Sequence, residues 1–342
     1  MFSISNRRYT GSKYKLLDWI EELILENCRG QVFFDVFAGT GVVSHRMKDH
    51  YEKLIINDFL FSNEIIYKGF FGEGDFDQNV LDRYKEEFQE FSKEGRQEGG
   101  LEPNYVSENF GGKYFSDRDG RIIGRIREEL EQAKNKVSPR EYAILLASLV
   151  YSMDKVANTV GHYDAYRKIP HIEDRFSFDL ICPLRSSGRF VIYREDSNEL
   201  AKKVKADIAF VDPPYNSRQY SRFYHVLENV VQWKKPVLEG TALKPPAENM
   251  SDYCRSNAPG VFEDLIKNIQ ADYIVVTYNN TYASKSSSSK NKITLEEITG
   301  ILSSKGETKI FEKKHPYFNA GKTEFEDHKE YVFITEAGKG HG

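Results

Sequence analysis

The stretch Val32-Phe-Phe-Asp-Val-Phe-Ala-Gly-Thr-Gly41 sets the fold class of this chain. Its residues Val32 to Val36 predict a short buried strand, and Phe37 to Gly41 predict a glycine-containing turn. A predicted helix through Met47 and a second buried strand over Leu54 to Ile56 follow. Strand, turn, helix and strand in this order open a parallel α/β sheet.

Further strand and helix patterns lie on both sides of this stretch. Apolar residues recur at helical spacing from Lys13 to Cys28 and predict an amphipathic helix. The Ser-rich run Ala283 to Lys290 predicts a mobile loop, and Asn319 to Lys322 fall in a predicted connection. The later predicted elements are strands over Phe190 to Tyr193 and Ile208 to Val211, a helix over Tyr220 to Trp233, a strand over Tyr273 to Thr277, and a closing strand pair over Lys309 to Lys313 and Glu330 to Thr335.

The alternation of strands and helices stops between residues 60 and 187. Three charged helices are predicted there, over 77–94, 118–134 and 139–156, and a polar segment from Gly95 to Gly112 separates the first two. We therefore expect an α/β catalytic domain formed by residues 1–59 and 188–342. A mostly helical insertion of residues 60–187 interrupts it.

Composition and charge exclude several classes of protein. With 342 residues the chain is long enough to bury a large core, and its 21 Tyr and 23 Phe supply core volume and flat faces for bases. The net charge of -4 means that contacts with nucleic acid must come from local basic clusters. Cys28, Cys182 and Cys254 are too widely separated in sequence to form a CxxC metal pair, and three cysteines do not make an even disulfide framework. No signal peptide or apolar run of about 18 residues occurs, so we expect a cytoplasmic protein with no membrane partner.

The glycine turn is the first candidate ligand site. Gly39 and Gly41 let the backbone approach a ligand closely, and the following helix begins with free amide groups. An ordinary strand-to-helix turn is the alternative, since Ser44 replaces the third glycine of the dinucleotide fingerprint. Asp58, at the end of the next strand, is placed to accept hydrogen bonds from a ribose, or to cap the strand end. Asp196 follows a later strand and is placed to receive an adenine amine, or to cap a helix.

The most specific signal is the motif Val211-Asp-Pro-Pro-Tyr215, directly after a predicted strand. Open α/β sheets place their ligands at the carboxyl ends of parallel strands. Pro213 and Pro214 fix their own φ angles and keep the preceding residues extended, so the Asp212 carboxylate and the Pro213 carbonyl point in fixed directions. Two neighbouring acceptors suit an amine with two hydrogens, and Tyr215 offers a flat face for a stacked base.

These acceptors suit the chemistry of the adenine amine. That amine is a poor nucleophile, because its lone pair is delocalised into the ring. Hydrogen bonds to Asp212 and to the Pro213 carbonyl would bend the nitrogen toward tetrahedral geometry and free the lone pair for attack on a sulfonium methyl group. The same acceptors would stabilise the positive charge that develops in the transition state, so no covalent intermediate is required.

Together these segments resemble the adenine-N6 DNA methyltransferases with the alpha-group motif order, especially the FokI-type modification enzymes. The catalytic stretch continues to Tyr220 as Asp-Pro-Pro-Tyr-Asn-Ser-Arg-Gln-Tyr, which is similar to the FokI-type form, and so is the stretch from Asp154 to Tyr163. The resemblance implies a Rossmann-like class I methyltransferase sheet, S-adenosylmethionine as cofactor, and base flipping. It also places Lys13 near the methionine carboxylate of the cofactor. The implied catalytic residues are Asp212, Pro213, Pro214 and Tyr215, and the implied cofactor contacts are Tyr9, Gly11, Ser12, Lys13, Asp35, Phe37, Gly39, Gly41, Asp58, Asp196 and Asp212.

The expected partner is double-stranded DNA. In the alpha group the target-recognition region lies between the ribose acid and the catalytic motif, which is where the helical insertion falls. Arginine and lysine serve as both phosphate and base contacts. The candidate DNA contacts are Arg167, Lys168, Arg185 and Arg189 in and after the insertion, and Asn216, Arg218 and Arg222 beside the catalytic motif.

Other functions stay open at this point. An RNA adenine methyltransferase would share the chemistry, and a non-catalytic DNA-binding protein would share the fold. A cytosine-amine enzyme usually has Ser in place of Asp212, and carbon-5 chemistry needs a Pro-Cys motif, whereas Cys182 precedes Pro183 here. His162 and His225 have no metal-ligand spacing, so no metal is expected. A companion restriction endonuclease is a further possible partner.

Overall fold

The computed structural model describes residues 1–184, 189–280, 291–314 and 329–338, with the side chain of Arg189 excepted. The predicted loop over 283–290, the connection over 319–322 and the candidate DNA contact Arg185 lie outside the described residues, as does the Arg189 side chain.

Seven strands form one mixed sheet with the order β3-β2-β1-β4-β5-β7-β6. Strands β1 to β5 are all parallel to one another, and β7 runs antiparallel to both β5 and β6. This confirms the predicted α/β class with a Rossmann-like sheet. The strands are β1 Val32–Asp35, β2 Lys53–Asn57, β3 Arg189–Tyr193, β4 Lys205–Val211, β5 Gln270–Asn279, β6 Gly306–Lys314 and β7 Lys329–Ala337.

Twelve α-helices lie in the described part of the chain. The three charged helices predicted between residues 77 and 156 are confirmed to within one residue at each end as α4, α6 and α7. The predicted helix over Tyr220 to Trp233 is instead two helices, because Tyr224 has a φ of -112° and a ψ of 22°. The helices are α1 Leu17–Asn27, α2 Val42–Met47, α3 Phe61–Phe71, α4 Gln78–Glu94, α5 Tyr105–Phe110, α6 Asp117–Ala133, α7 Pro139–Val156, α8 Ser197–Ala201, α9 Tyr220–Phe223, α10 His225–Gln232, α11 Ala258–Asn268 and α12 Leu295–Lys305, and short 3₁₀ helices span Ile4–Asn6, Lys13–Leu16 and Asp252–Cys254.

The chain forms two compact units. The sheet unit comprises Lys13–Phe59, Gly188–Tyr220 and Asn249–Gly342, and the helical unit comprises Met1–Ser12, Leu60–Ser187 and Ser221–Glu248. The expected division assigned the first twelve residues and residues 221–248 to the sheet, whereas both segments belong to the helical unit.

Hydrogen bonds within the helical unit explain this difference. The backbone of Phe2 bonds to Leu180 and Cys182, with N···O distances of 2.8 Å. The buried Arg127 on α6 donates from Nε to the carbonyl of Val230 on α10 at 2.7 Å. Contacts of this kind join segments that are far apart in sequence, so local patterns give no sign of them.

The two faces of the sheet differ in a way that positions the site. Alternate strand residues such as Phe34, Val211 and Val276 pack into an apolar cluster with α8, α11 and α12. Because side chains alternate along a strand, Asp35 and Thr277 point to the opposite face. Polar groups are thereby brought to one face of the sheet near the carboxyl ends of β1 and β5.

Candidate active site

The glycine turn after β1 requires glycine at two positions. Gly39 has a φ of 52° and Gly41 a φ of 74°, both in the left-handed region that other residues rarely adopt. A hydrogen bond joins the turn to the end of β2: the Ala38 N–H donates to the carbonyl of Asn57 at 2.9 Å. The backbone at this turn is therefore held in one shape beside the strand ends.

Asp58 lies directly against this turn. Its Oδ2 atom accepts a hydrogen bond from the Gly39 N–H at 3.0 Å. The structure thus brings together the predicted ribose acid and the glycine motif, 19 residues apart in sequence. A ribose bound by Asp58 would lie next to the glycine turn.

Asp35 ends β1 and is almost completely buried, with 1% of its surface exposed. Its Oδ2 atom accepts a hydrogen bond from the Ser44 hydroxyl at 2.6 Å, while its Oδ1 atom is buried without a hydrogen-bond partner. Burial raises the pKa of Asp35 to about 7, and the negative charges of Asp212 and Asp58 act in the same direction. An unsatisfied buried carboxylate oxygen is a fitting acceptor for a ligand ammonium group.

Asp212 follows β4, the strand hydrogen-bonded to β1, so it lies at the same edge of the sheet as the glycine turn. Its carboxylate is held from two sides. The Lys13 ammonium lies 2.8 Å from Oδ2, and the Thr277 hydroxyl donates to Oδ1 at 2.7 Å. A carboxylate has about four acceptor positions, so these two bonds orient the group and leave capacity for an amine.

Lys13 is bound to the catalytic motif in this structure. Its ammonium group pairs with the carboxylate of Asp212. The contact with the cofactor carboxylate that the family resemblance implies stays a prediction. Burial acts to lower the pKa of Lys13, but the charges of Asp212 and Glu330 outweigh burial and raise it. Lys13 is therefore a firmly charged ammonium within the site.

Glu330 on β7 is a site residue that the sequence analysis does not identify. Only 9% of its surface is exposed. Burial raises its pKa to about 7, with the charge of Lys13 acting to lower it and that of Asp212 to raise it. An acidic residue that begins a predicted strand was the only signal in the sequence.

Tyr215, the predicted stacking platform for the base, is mostly buried. Its hydroxyl donates to the backbone carbonyl of Thr277 at 2.6 Å, and its ring meets Tyr278 edge-on at 4.9 Å. Only 7% of its surface is exposed, so a small part of the ring is available to a base. Stacking of a base on Tyr215 stays a prediction.

The residues after Tyr215 form a tight turn. The Oδ1 atom of Asn216 accepts a hydrogen bond from the Arg218 N–H at 3.0 Å, and Asn216 also forms a β-bridge with Asn291. The sulfur of Cys254 donates to the Arg218 carbonyl at 3.2 Å. These bonds fix the backbone of the loop, while the DNA contacts predicted for Asn216 and Arg218 stay predictions.

Asp196 was predicted to receive the adenine amine, and Phe37 to lie beside the cofactor. Asp196 is exposed and caps α8, accepting from the N–H groups of Asn198 at 2.9 Å and Glu199 at 3.2 Å. The Oδ1 atom of Asp196 therefore caps a helix, which was the alternative interpretation of this residue. Phe37 meets the ring of Tyr253 edge-on at 5.2 Å. Adenine binding by Asp196 and the cofactor contact of Phe37 stay predictions.

Three predicted cofactor contacts belong to the helical unit. Tyr9 stacks on Tyr224, with ring centroids 4.7 Å apart and an interplanar angle of 4°. Gly11 has a φ of 83°, and both Gly11 and Ser12 are exposed. The buried Arg7 guanidinium lies 5.1 Å from the Tyr9 ring centroid. The cofactor roles of Tyr9, Gly11 and Ser12 stay predictions.

The stretch from Asp154 to Tyr163 forms internal bonds of the helical unit. Asp154 accepts from the Arg8 N–H at 2.9 Å and from the Tyr163 hydroxyl at 3.1 Å. The Asn158 side-chain amide donates to the carbonyls of Lys113 and Arg167 at 2.8 and 2.9 Å. The polar residues of this stretch therefore hold the unit together.

The candidate DNA contacts differ in their exposure. Arg167 and Lys168 are exposed on the helical unit. Arg222 is partly buried and donates to the carbonyl of Pro245 at 2.5 Å, which ties its guanidinium to the protein backbone. Of the described candidates, Arg167 and Lys168 are the ones most accessible to a phosphate.

His225 and His162 both contact other residues of the helical unit. His225 is buried, and its ring nitrogens lie 3.0 and 2.8 Å from the carbonyl oxygens of Arg222 and Ala242. The His162 ring stacks on Phe223 at 4.5 Å. Within the described ranges, no group of three potential metal ligands occurs. No helix there is long and apolar enough to span a bilayer.

The strand order and the position of the Asp212 motif are those expected of a class I methyltransferase. A family model described as D12 class N6 adenine-specific DNA methyltransferase matches residues 9–298. The chain therefore belongs to the D12 class of N6 adenine-specific DNA methyltransferases, which confirms the resemblance found in the sequence. Its chemistry is methyl transfer to adenine in DNA, so the RNA, cytosine and non-catalytic alternatives are not supported.

Three relatives show which members of the family this chain is similar to. It is 31% identical over 346 residues to the type II methyltransferase M.NlaIII of Neisseria lactamica, covering 96% of this chain and 98% of that protein. It is 33% identical over 358 residues to M.FokI of Planomicrobium okeanokoites and 32% identical over 337 residues to the modification methylase StsI of Streptococcus sanguinis. Those alignments cover 96% and 91% of this chain but 52% and 48% of the two relatives.

Proposed function

We propose that this chain methylates N6 of adenine within one specific sequence of double-stranded DNA, with S-adenosylmethionine as donor, as the modification enzyme of a restriction-modification system. The names of M.NlaIII, M.FokI and StsI support the modification role. A companion endonuclease and action in the cytoplasm are parts of the same proposal.

The residues at the glycine turn fit the proposed cofactor. S-adenosylmethionine supplies an electrophilic methyl group on a cationic sulfonium centre. The unpartnered Oδ1 atom of Asp35 would accept its ammonium group, and Asp58 would bind its ribose beside Gly39. Asp196 and Phe37 would bind its adenine ring, and Gly41 would allow close approach of the backbone. We assign Tyr9, Gly11 and Ser12 to the methionine side of the cofactor, as the family resemblance implies.

The observation that carries the proposal is the double anchoring of Asp212 beside the glycine turn. Lys13 and Thr277 each bind one oxygen of its carboxylate, which aims the group without a rearrangement at the moment of reaction. Asp212 and the Pro213 carbonyl would accept the two N6 hydrogens of an extruded adenine. Positive charge that develops on N6 would then be stabilised by a fixed carboxylate.

The test compares three variants. Asp212→Ala removes the acceptor, Asp212→Asn retains one oxygen without the charge, and Asp272→Ala removes an exposed carboxylate from β5 as a matched control. Cofactor affinity is measured by calorimetry, and methyl transfer with labelled S-adenosylmethionine on genomic DNA from a host that lacks adenine methylation. We expect Asp212→Ala to bind the cofactor but to lose at least about 100-fold in rate.

Mapping the methylated adenines tests the finer parts of the proposal. A single sequence context is expected, and methylation without sequence preference would contradict site specificity. Normal transfer by Asp212→Ala would overturn the role of Asp212. Loss of cofactor binding in Asp212→Ala with retained folding would show that Asp212 serves the cofactor instead of the base.

A further inference from the structure

Glu330 takes no part in the proposed chemistry at Asp212, yet its pairing in the sheet places it on the same face as one of the residues that hold Asp212. It lies directly opposite Asn279 in the antiparallel pairing of β7 with β5. Opposite residues in a sheet share a face, and Thr277 lies two positions before Asn279, so Thr277 and Glu330 share that face as well. Thr277 is one of the two residues that hold the Asp212 carboxylate.

The same cluster contains an imbalance of charge. Lys13 and Asp212 lie 2.8 Å apart, with side chains 12% and 16% exposed. An ammonium this close to Asp212 cancels much of the negative charge that should stabilise the adenine nitrogen. A second carboxylate near Lys13 would restore a net negative charge to the cluster.

Glu330 is the carboxylate that acts electrostatically on Lys13, on Asp212 and on Tyr215. From the neighbouring strand β6, Lys313 is paired opposite Glu330, but its side chain is exposed and lies 5.6 Å from the ring of Trp19. Lys13 is therefore the buried cation to which Glu330 responds.

We propose that Glu330 is a positioning residue for methyl transfer: as a carboxylate it balances the charge of Lys13, so that Lys13 orients Asp212 without neutralising it. This inference rests on the proposed role of Asp212. Glu330 acts through Lys13 and does not contact the base. The methyl-transfer step itself is unchanged, and Glu330 gains or loses only its own proton.

The first test is kinetic. Glu330→Gln keeps the shape and removes the charge, Glu330→Asp keeps the charge, and Glu336→Gln makes the same change at an exposed position of β7. Single-turnover rates are measured on genomic DNA from a host lacking adenine methylation. We expect Glu330→Gln to lower the rate about 10- to 100-fold at pH 8, with DNA affinity unchanged, Glu330→Asp to recover part of it, and Glu336→Gln to match wild type.

The pH profile separates this role from a structural one. The active form has ionised Glu330, so the wild-type rate should rise as pH increases through about 7. Asp35 ionises over the same range and also contributes to that rise. The pH–rate profile of Glu330→Gln should show one ionisation instead of two. Its rate should approach the wild-type rate near pH 5.5, where Glu330 is protonated in the wild type. A constant deficit at every pH would overturn the proposal.

A second readout does not depend on activity. The pKa of Lys13 is measured by NMR after ¹³C reductive methylation, with its signal assigned through Lys13→Arg. Glu330→Gln should lower the Lys13 pKa, whereas Glu336→Gln should leave it unchanged. An unchanged Lys13 pKa in Glu330→Gln would overturn the inference even if the wild-type enzyme methylates DNA normally.

A double-mutant cycle completes the design. Replacement of Lys13 by Met removes the charge that Glu330 balances, so Glu330→Gln should then have little further effect on rate. An equal loss with and without Lys13 would refute action through Lys13. Failure of the proposed function has a different signature, since the wild-type enzyme would then methylate no adenine while the NMR result stood.

Discussion

Replacement of Asp35 by Asn should stabilise the cofactor-free protein at neutral and basic pH. Asp35 is buried at the end of β1, and the burial that raises its pKa also makes its ionised form costly. An amide has nearly the same shape, stays neutral, and can still accept the hydrogen bond from Ser44. The substitution therefore removes an ionisation that the folded state opposes.

The magnitude follows from the pKa of Asp35, which burial raises from 3.8 to about 7. Between these pH values the unfolded chain has lost the proton while the folded chain keeps it, so the wild-type protein loses stability as pH rises. Over the full interval the loss is about 4 kcal/mol. Between pH 5 and pH 8 the variant should therefore gain about 3 kcal/mol relative to wild type.

Guanidinium unfolding without cofactor at pH 5, 6, 7 and 8 measures this difference. Other carboxyl groups with a raised pKa, such as Glu330, are present in both proteins. The difference between the two stability curves therefore reports the ionisation of Asp35 alone. Asp207→Asn is the control, because Asp207 accepts from the N–H groups of Gln31 and Val32 and should lose stability on the same change. Parallel curves for wild type and Asp35→Asn would refute the reasoning.

Three further predictions concern the anchors of Asp212 and Tyr215 and the DNA contacts. Thr277→Val removes the donor to Asp212 Oδ1 without changing the side-chain volume greatly, so the single-turnover methylation rate should fall about tenfold; an unchanged rate would show that Thr277 does not orient Asp212. Tyr215→Phe leaves the Thr277 carbonyl without its donor and should cost about 1 to 3 kcal/mol in urea unfolding. Replacing Arg167 and Lys168 by Ala should lower the slope of log affinity against log salt by about 2, whereas the same change at Lys202 and Lys203, which are paired with Glu199 and Glu195, should not.

Local sequence patterns predicted most of the sheet because its strands are short apolar runs that end in turns. The predicted boundaries of β1 and β4 agree with the structure at their carboxyl ends to within one residue, which is where the ligand motifs begin. Helix α12 was not predicted, although Thr294 and Glu297 form a capping box that marks its start. Helix α5 begins with a capping box at Asn104 inside the segment expected to be irregular.

The domain boundaries depend on contacts that no local pattern records. Residues 221–248 follow the catalytic motif directly, so chain order placed them with the sheet. The guanidinium of Arg127 bonds to the carbonyl of Val230, 103 residues further along the chain. A buried arginine on a charged helix is indistinguishable in sequence from a solvated one.

The sequence motifs identified acidic residues that lie at one edge of the sheet, but not the isolated residues that contact them; the catalytic and cofactor roles stay predictions. Asp35 ends a buried strand, and Asp58 and Asp212 each directly follow one, so that placement alone brings them to one edge of a parallel sheet. Thr277 is 65 residues from Asp212, and only the pairing of β4 with β5 brings the two strand ends together. Glu330 requires in addition the antiparallel register of β7, which the sequence does not specify.

The charges at this edge of the sheet fit the proposed cationic cofactor and reduce the stability of the protein without it. Asp35 and Glu330 are both buried carboxyls whose pKa is raised to about 7, so each can be neutral without ligand and ionised when a positive charge arrives. With buried carboxyls of this kind the protein loses stability as pH rises from their unfolded-state pKa to about 7, as Asp35→Asn should show. Asp212, by contrast, has Lys13 and Thr277 to hold its charge in place. Two acids whose charge changes near pH 7 thus interact electrostatically with Asp212, whose direction is fixed. This arrangement fits the proposed sulfonium donor and the positive charge that would develop on the adenine amine.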